Sequence, residues 1–351
     1  MVWTPSSLPI PFPARRSCCP RAVTTSPAPN SLASNDDGVC FRPPQPFVLF
    51  TPEVTMDIFP ARVRRITDIT PHMRRFTVTG EQLARYGDPG YDQRIKVVFP
   101  TETASLDAMP AGPNWYLDWR ALDPETRPPF RTYTTRAVRH EALEVDIDMV
   151  AHDVQGPASR WIRDAVVGDD ILIVAPSIED EPPHLGIDFV PPAQVGNFLL
   201  VGDETAAPAI AVILEQLPRE AQGVVIVEFP DDADAPYIPE HPGFARYIAG
   251  RGEGTRHAFL ERTVREVLPD LCPAGRGSEV EEVDIDEDLL WEVPRTAKGG
   301  AALKSAPLYA WLAGEASAIK SLRRFLVSEH GVDRRAVAFM GYWRLGKAEG
   351  N

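Results

Sequence analysis

The stretch Phe198-Leu-Leu-Val-Gly-Asp-Glu-Thr-Ala-Ala-Pro-Ala-Ile210 changes period at its centre, and that change decides the fold. Residues 198–201 are apolar at every position, as in a strand covered on both faces. Beyond Gly202, Ile210, Ile213, Leu214 and Leu217 fall at i, i+3, i+4 and i+7, which predicts a helix over 205–217. The alternation continues with a strand at 224–229, a helix at 258–268, a strand at 308–313, a helix at 316–329 and a last strand at 337–343. Apolar strands alternating with amphipathic helices predict a doubly wound parallel sheet.

Working toward the N-terminus, the period becomes 2. Residues 62–69 and 73–79 read as strands parted by Thr70-Pro71, and 95–99 and 171–175 as further strands. Residues 131–138 and 143–150 read as an antiparallel pair. In the second of these, Leu143, Val145, Ile147 and Met149 alternate with Glu144, Asp146 and Asp148, the pattern of a half-buried strand. Close spacing and turn connections predict an antiparallel barrel, with a short helix at 158–166. The expected organisation is a β-barrel domain over 56–192 followed by an α/β domain over 193–351.

Two segments stand apart. Residues 1–55 are rich in proline, serine and threonine and show no period, so they read as a disordered extension, or as sequence preceding a start at Met56. Residues 278–293 carry only acidic charges and read as a solvated loop in an insert near 276–300, since they lack the glycine and spacing of a calcium loop.

A net charge of −14 argues against nucleic acid and anionic membrane surfaces as partners. The four cysteines, three of them within the first 40 residues, form no CxxC pair, so neither a disulfide framework nor a metal site is predicted. No apolar run approaches the roughly 20 residues a spanning helix needs. The expectation is a monomeric cytoplasmic protein.

Neither GxGxxG, a Walker A sequence, HExxH nor GxSxG occurs. Other stretches carry the chemistry. In Arg131-Thr-Tyr-Thr-Thr-Arg136, alternation puts Arg131, Tyr133 and Thr135 on one face and Thr132, Thr134 and Arg136 on the other. A ring, hydroxyls and guanidinium groups suit a planar cofactor bearing phosphate, although the same residues also suit an ordinary cross-strand surface. In His152-Asp-Val-Gln-Gly-Pro-Ala-Ser-Arg-Trp161, a strand gives way to a helix opened by proline. The free N–H groups there form an anion site, or simply a capped helix end. Asp203, Glu204 and Thr205 follow a strand end, and Gly314 and Glu315 repeat that arrangement. Ligands of open α/β sheets bind at such ends, while acids at a helix start are also favoured by the dipole alone. The last motif is Gly341-Tyr-Trp-Arg-Leu-Gly-Lys347, with Lys320, Arg323, Arg324, Arg334 and Arg335 nearby in sequence.

Taken together and in order, RTYTTR, HDVQGPASRW, GDETAAPAI, YAWLAGEASAIKSLRRFL and HGVDRRAVAFMGYWRLG resemble the siderophore-interacting protein family, flavin-dependent ferric-siderophore reductases of the ferredoxin-reductase superfamily. The resemblance runs from about Ala61 to Lys347. It implies FAD on the barrel, with Tyr133 packed on the isoalloxazine and Thr134 at its reactive edge. Arg131 and Arg136 are then phosphate partners, and His152, Gly156, Ala158 and Ser159 hold pyrophosphate and adenine. NADH or NADPH is expected at Asp203, Thr205, Gly314 and Glu315, with Tyr342 and Trp343 nearby. Arg344 and Lys347 are expected to steer an anionic ferric siderophore or other iron chelate. Asp153 departs from the family, which commonly has glycine there. Also open are a reductase of the same build acting on a quinone or a protein, and a non-catalytic siderophore-binding protein.

Overall fold

The computed structural model describes residues 56–151, 156–181, 185–278 and 290–347. Its first half is a closed barrel of β1 (Asp57–Thr70), β2 (Met73–Thr79), β3 (Arg94–Val98), β4 (Phe130–Arg139), β5 (Glu144–Val150) and β6 (Asp170–Ala175), in the order β1-β2-β5-β4-β3-β6. Every pairing in the barrel is antiparallel. Each strand predicted in this half is present. β1 begins earlier than its sequence pattern suggested, because residues from Asp57 onward pair with β6. Phe59, Phe76, Phe99, Ile147 and Ile173 fill the barrel. Helix α2 (Pro157–Asp164) caps that core with Ala158, Trp161 and Ile162. Helix α1 (Trp115–Ala121), which the sequence reading missed, lays Trp115 and Trp119 on the outside of the barrel against Val98, Phe130 and Val174.

The second half is a three-layer sandwich. Its sheet runs β10-β12-β11-β7-β8-β9, from β7 (Gln194–Asp203), β8 (Gly223–Phe229), β9 (Phe244–Gly250), β10 (Trp291–Glu292), β11 (Ser305–Glu315) and β12 (Val337–Trp343). Five strands are parallel and β10 is antiparallel to β12. Helix α3 (Ala207–Gln216) covers the face toward the barrel, packing with Leu200, Val225 and Trp311. Helices α4 (Ala258–Leu271) and α5 (Ala316–Arg323) cover the other face. α5 runs on into a π-helical turn over Arg324–Glu329, and α3 starts two residues later than predicted, so Asp203 and Glu204 belong to the strand end and turn. Strands β9 and β10 carried no readable pattern. β9 is an edge strand with Arg246 and Tyr247 exposed, and β10 lies at the end of the acidic run. Of that run, 279–289 lie outside the described residues. Glu292, though, is no solvated loop residue, since its carboxylate accepts two hydrogen bonds from the buried guanidinium of Arg323.

The acidic stripe of β5 is also not solvent-facing. Glu144, Asp146 and Asp148 are all buried. Their strand lies between β2 and β4, whose arginines meet them across the ladder: Arg75 opposes Asp148, and Arg139 opposes Glu144. Asp148 accepts from Arg75 Nε and Nη2 at 2.7 and 2.8 Å, and from the Tyr237 hydroxyl at 2.6 Å. Tyr237 belongs to the turn after β8, so this carboxylate ties barrel to sheet. Two further ties run in parallel. Arg136 donates to Glu215 of α3, and Asp234 accepts from Thr70 Oγ1 and His72 N. Among the described residues no helix is long and apolar enough to cross a membrane.

Replacing Asp148 by Ala leaves a half-buried guanidinium and a buried phenol without their acceptor, and breaking a pair of this kind costs up to about 3–5 kcal/mol. Urea unfolding of Asp148→Ala should show a loss of that order, and a loss under about 1 kcal/mol would contradict this role.

Candidate functional site

On β4 the strand alternation is as read. Tyr133 and Thr135 face the barrel core. The Tyr133 ring meets Phe99 edge-on at 6.2 Å, and Phe99 lies 5.0 Å from Trp161 of α2. Thr135 Oγ1 is 2.7 Å from the Tyr86 hydroxyl. On the outer face Thr132 accepts from Lys96 Nζ, and buried Thr134 stands opposite Arg94 of β3. Arg131 donates to the neighbouring Phe130 carbonyl and has no ion pair among the described residues. Phe99 thus lies between the Tyr133 ring and Trp161 of α2, within one barrel core.

That turn is open. Pro157 occupies its start, and among the described residues no side chain caps it and a Cβ built on Gly156 would meet nothing within 4 Å. Uncapped N–H groups, a guanidinium without a carboxylate and a half-buried ring fit the pyrophosphate and ring of a flavin dinucleotide. Ser159 is half-buried in the same turn. His152, with Asp153, lies outside the described residues. Arg136 does not join Arg131. It has the opposite strand parity, its Nη atoms are taken by Glu215 at 2.6 and 2.9 Å, and Asp148 is 3.5 Å from its Nε. In this structure it ties the two halves together.

At the carboxyl edge of the sheet the structure gathers several predicted residues around one carboxylate. Asp203, fully buried at the end of β7, accepts from Thr205 N at 2.9 Å, Glu315 N at 2.9 Å and Trp343 Nε1 at 2.8 Å. It thus joins the ends of β7, β11 and β12. Gly314 is required here: its φ is +150° and a Cβ would stand 2.7 Å from Asp203 Oδ2. Burial and the neighbouring Glu204 push the Asp203 carboxyl up. Glu315 caps α5 through the N–H groups of Ser317 and Ala318, and these bonds with the Ser317 hydroxyl outweigh burial and hold it below the usual range.

Tyr342 and Trp343, predicted as a pair, point to opposite faces. Tyr342 faces the barrel, stacked on Trp291 at 5.6 Å and edge-on to Trp311 at 6.2 Å. Arg94 lies over Trp291 at 4.5 Å, so this stack reaches β3 beside Thr134. Trp343 lies on the α4 side, with the His257 ring 6.3 Å away and Arg256 over it at 5.4 Å. Arg344 and Lys347 close a turn whose Leu345 N–H donates to Glu315 Oε1. The wider basic stretch is partly spent on ion pairs: Arg323 binds Glu292 and Arg335 binds Asp333.

Sequence reasoning missed the aromatic and arginine partners Trp291, Trp311 and Arg94. It also missed the group Arg251, Arg256, His257 and Glu228 at the ends of β8 and β9. Arg251 binds the buried Glu204 through both Nη atoms at 2.8 Å, and Arg256 approaches the same carboxylate at 3.5 Å. The available signal was Arg251-Gly-Glu-Gly-Thr-Arg-His257, a glycine-bearing basic turn ahead of a helix. Without β9 it had no strand to follow. Among the described residues no group of His, Cys, Asp or Glu is placed to hold a metal ion.

Residues 62–180 match the siderophore-interacting FAD-binding domain family, and residues 195–346 match the siderophore-interacting protein family. The chain is similar to the ferric vibriobactin reductase ViuB of Vibrio cholerae, 27% identical over 281 residues, or 80% of this chain and 87% of ViuB. An uncharacterized protein of Mycobacterium tuberculosis is 30% identical over 286 residues, 80% of this chain and 88% of that protein. The siderophore-interacting protein SipS from Aeromonas hydrophila is similar in structure, with a TM-score of 0.57 at 27% identity, covering 84% of this chain and 94% of SipS.

Asp203→Ala leaves the Glu315 amide and the Trp343 indole without their acceptor, at about 1–3 kcal/mol for each buried orphan. Unfolding in urea should show a loss of about 3 kcal/mol with altered tryptophan emission, and a variant as stable as the parent would contradict the hub.

Proposed function

The chain belongs to the siderophore-interacting protein family, and from that premise we propose that it is a cytoplasmic oxidoreductase that reduces Fe(III) in a siderophore-class chelate, using FAD and electrons from NADH or NADPH. One observation carries the reading. Arg131, without a carboxylate partner, and Tyr133 lie on the strand whose core is capped by the uncapped helix α2. FAD, when bound, accepts a two-electron hydride and returns electrons singly, the conversion needed between nicotinamide and Fe(III).

The chain supplies position and charge. Arg131 and the N–H groups of Gly156–Ser159 hold the pyrophosphate, with Ala158 small enough to let it approach. Tyr133 backs the ring system and Thr134 offers a hydroxyl at its edge. These roles rest on the family pattern and on the open geometry of the turn. The nicotinamide half of the donor lies on the Asp203, Thr205, Gly314 and Glu315 edge, at the carboxyl ends of β7 and β11. Tyr342 stands on the barrel-facing side of the sheet and, held by Trp291 and Trp311, limits how far the donor ring can slide. The Arg344–Lys347 turn, fixed to Glu315, brings positive charge to that edge in a chain of net −14 and favours an anionic acceptor. ViuB's name as a ferric vibriobactin reductase supports iron as the acceptor. No protein ligand to iron is needed, because reduction itself weakens a chelate built from hard oxygen donors.

The test is anaerobic. FAD-loaded protein is reduced with NADH or NADPH, freed of excess nucleotide, and mixed with a ferric hydroxamate or catecholate chelate. Flavin absorbance should return at a rate that rises with chelate concentration, with Fe(II) trapped by a ferrous-specific dye. Reduced flavin that is inert to the chelates but discharged by a quinone would move the acceptor away from iron.

A further inference from the structure

Strand β10 adds little to its sheet, since it pairs only Trp291 with Met340 and Glu292 with Phe339. Yet the segment Leu290-Trp-Glu-Val-Pro-Arg295 is anchored on several other elements. Its alternation divides the anchors between two faces. Trp291 and Val293 pack against the core cluster that holds residues of both sheet and barrel. Glu292 turns to the other face and accepts from Arg323 at the end of α5. Further on, Arg295 donates to Ile187 O at 2.9 Å and to Asp188 Oδ1 at 2.7 Å, in the linker between β6 and β7. Leu290 O accepts from Gly341 N of β12 at 2.7 Å.

Two groups from different halves lie on the Trp291 ring. The Arg94 guanidinium is 4.5 Å from its centroid, and the Tyr342 ring is stacked on it at 5.6 Å and 16°. Arg94 belongs to β3 and stands opposite Thr134 across the ladder. Tyr342 lies between Gly341 and Trp343, whose partners on β11 are Gly314 and Glu315. One indole thus joins the barrel strand beside Thr134 to the sheet edge beside Gly314. Arg94 is also ion-paired with Asp188, whose N–H donates to the buried Asp92, and Asp92 accepts from Trp311 Nε1 at 2.8 Å. Trp311 meets Tyr342 edge-on, so these contacts close into a ring. The ties at Tyr237, Asp234 and Glu215 all lie toward β8 and α3. Held by those alone, the sheet would be free to swing at its β12 side, and the ring of contacts through Trp291 closes that side.

We propose that the strap at 290–295 sets how closely the donor-bearing edge of the sheet approaches the flavin-bearing end of the barrel, with Trp291 as its positioning residue. This rests on the reading of the chain as a nicotinamide-dependent flavin reductase. The step served is transfer of a hydride, one proton with two electrons, from NADH or NADPH to FAD, which leaves oxidised nicotinamide and reduced flavin. Trp291 acts on it through Arg94 and Tyr342. The experiment compares the full-length parent with Trp291→Leu, which keeps an apolar side chain but loses the stack, and Trp291→Phe, which keeps a ring. In the first arm, FAD-loaded protein is reduced anaerobically over a range of donor concentrations. Trp291→Leu should lower the limiting rate about tenfold or more, the scale of a small misplacement of reacting groups, with FAD affinity and the half-saturating donor concentration unchanged. The long-wavelength absorbance of stacked nicotinamide and flavin should weaken with it, and Trp291→Phe should recover most of both. In the second arm, without FAD, hydrogen exchange in Trp291→Leu should quicken in β3 and at 187–190 but not in β5, and Trp291→Phe should match the parent. Where Leu destabilises the chain, Arg94→Lys, which keeps a charge for Asp188 but loses the planar contact on the indole, should give the same pattern at smaller scale. A limiting rate and exchange equal to the parent's overturn the proposal. So does a lower rate matched by weaker FAD binding, which would make Trp291 a structural residue only. Exchange that changes as expected while neither donor reduces the flavin of any chain would sink the reductase reading and leave the strap standing. Reduction of every chain at one rate would do the reverse.

Discussion

The buried carboxylate of Asp203 holds the carboxyl edge of the sheet together. It takes N–H groups from the turn after β7, from the end of β11 and from the last aromatic of β12. Three segments far apart in the chain are thereby fixed at one point. The cost is a carboxylate removed from water, and three N–H donors offset it. The same contact explains Gly314, because a side chain there would occupy the position of the carboxylate. With that edge fixed, Glu315 is free to cap α5 and to anchor the Arg344–Lys347 turn. Thr205, Glu315 and Trp343 are all held by this one group.

A second constraint orients the edge toward the barrel. The β5 acids meet arginines from both neighbouring strands, and Asp148 extends that ladder to Tyr237 beyond β8. Arg136 and Glu215 add another tie at α3. Much of the chain's positive charge is thus internal wiring. The turn before α4 is wired in the same way, with Arg251 and Arg256 both on Glu204. Arg131 differs, since among the described residues its guanidinium bonds the Phe130 carbonyl and meets no carboxylate.

The barrel was legible in the sequence because its strands are short, closely spaced and mostly joined by turns, with alternation plain in β5. The α/β half was legible where strands are covered on both faces, as in β7 and β8. It was not legible at the edges. β9 exposes Arg246 and Tyr247, and β10 is two residues long, so neither shows a period. The β5 acids looked solvent-facing because alternation reports two different faces, not which of them meets water. Of the site, the strand-end residues around Asp203 could be named because turn chemistry marks them. That Tyr342 and Trp343 diverge follows from strand parity and was readable, but Trp291, Arg94 and His257 join the site only through tertiary packing. Arg136 shows the opposite case, a motif residue drawn away by a carboxylate on a helix 79 residues later.

The claim from which the rest descends is that this barrel end holds FAD. The direct measurement is a titration of the protein with FAD, followed by flavin fluorescence and visible absorbance, in the parent chain and in Arg131→Ala. The account predicts stoichiometric uptake with quenched emission in the parent, as a ring packed on Tyr133 requires, and binding weakened about tenfold or more in the variant. A colourless protein that leaves flavin emission unchanged at every concentration would contradict it.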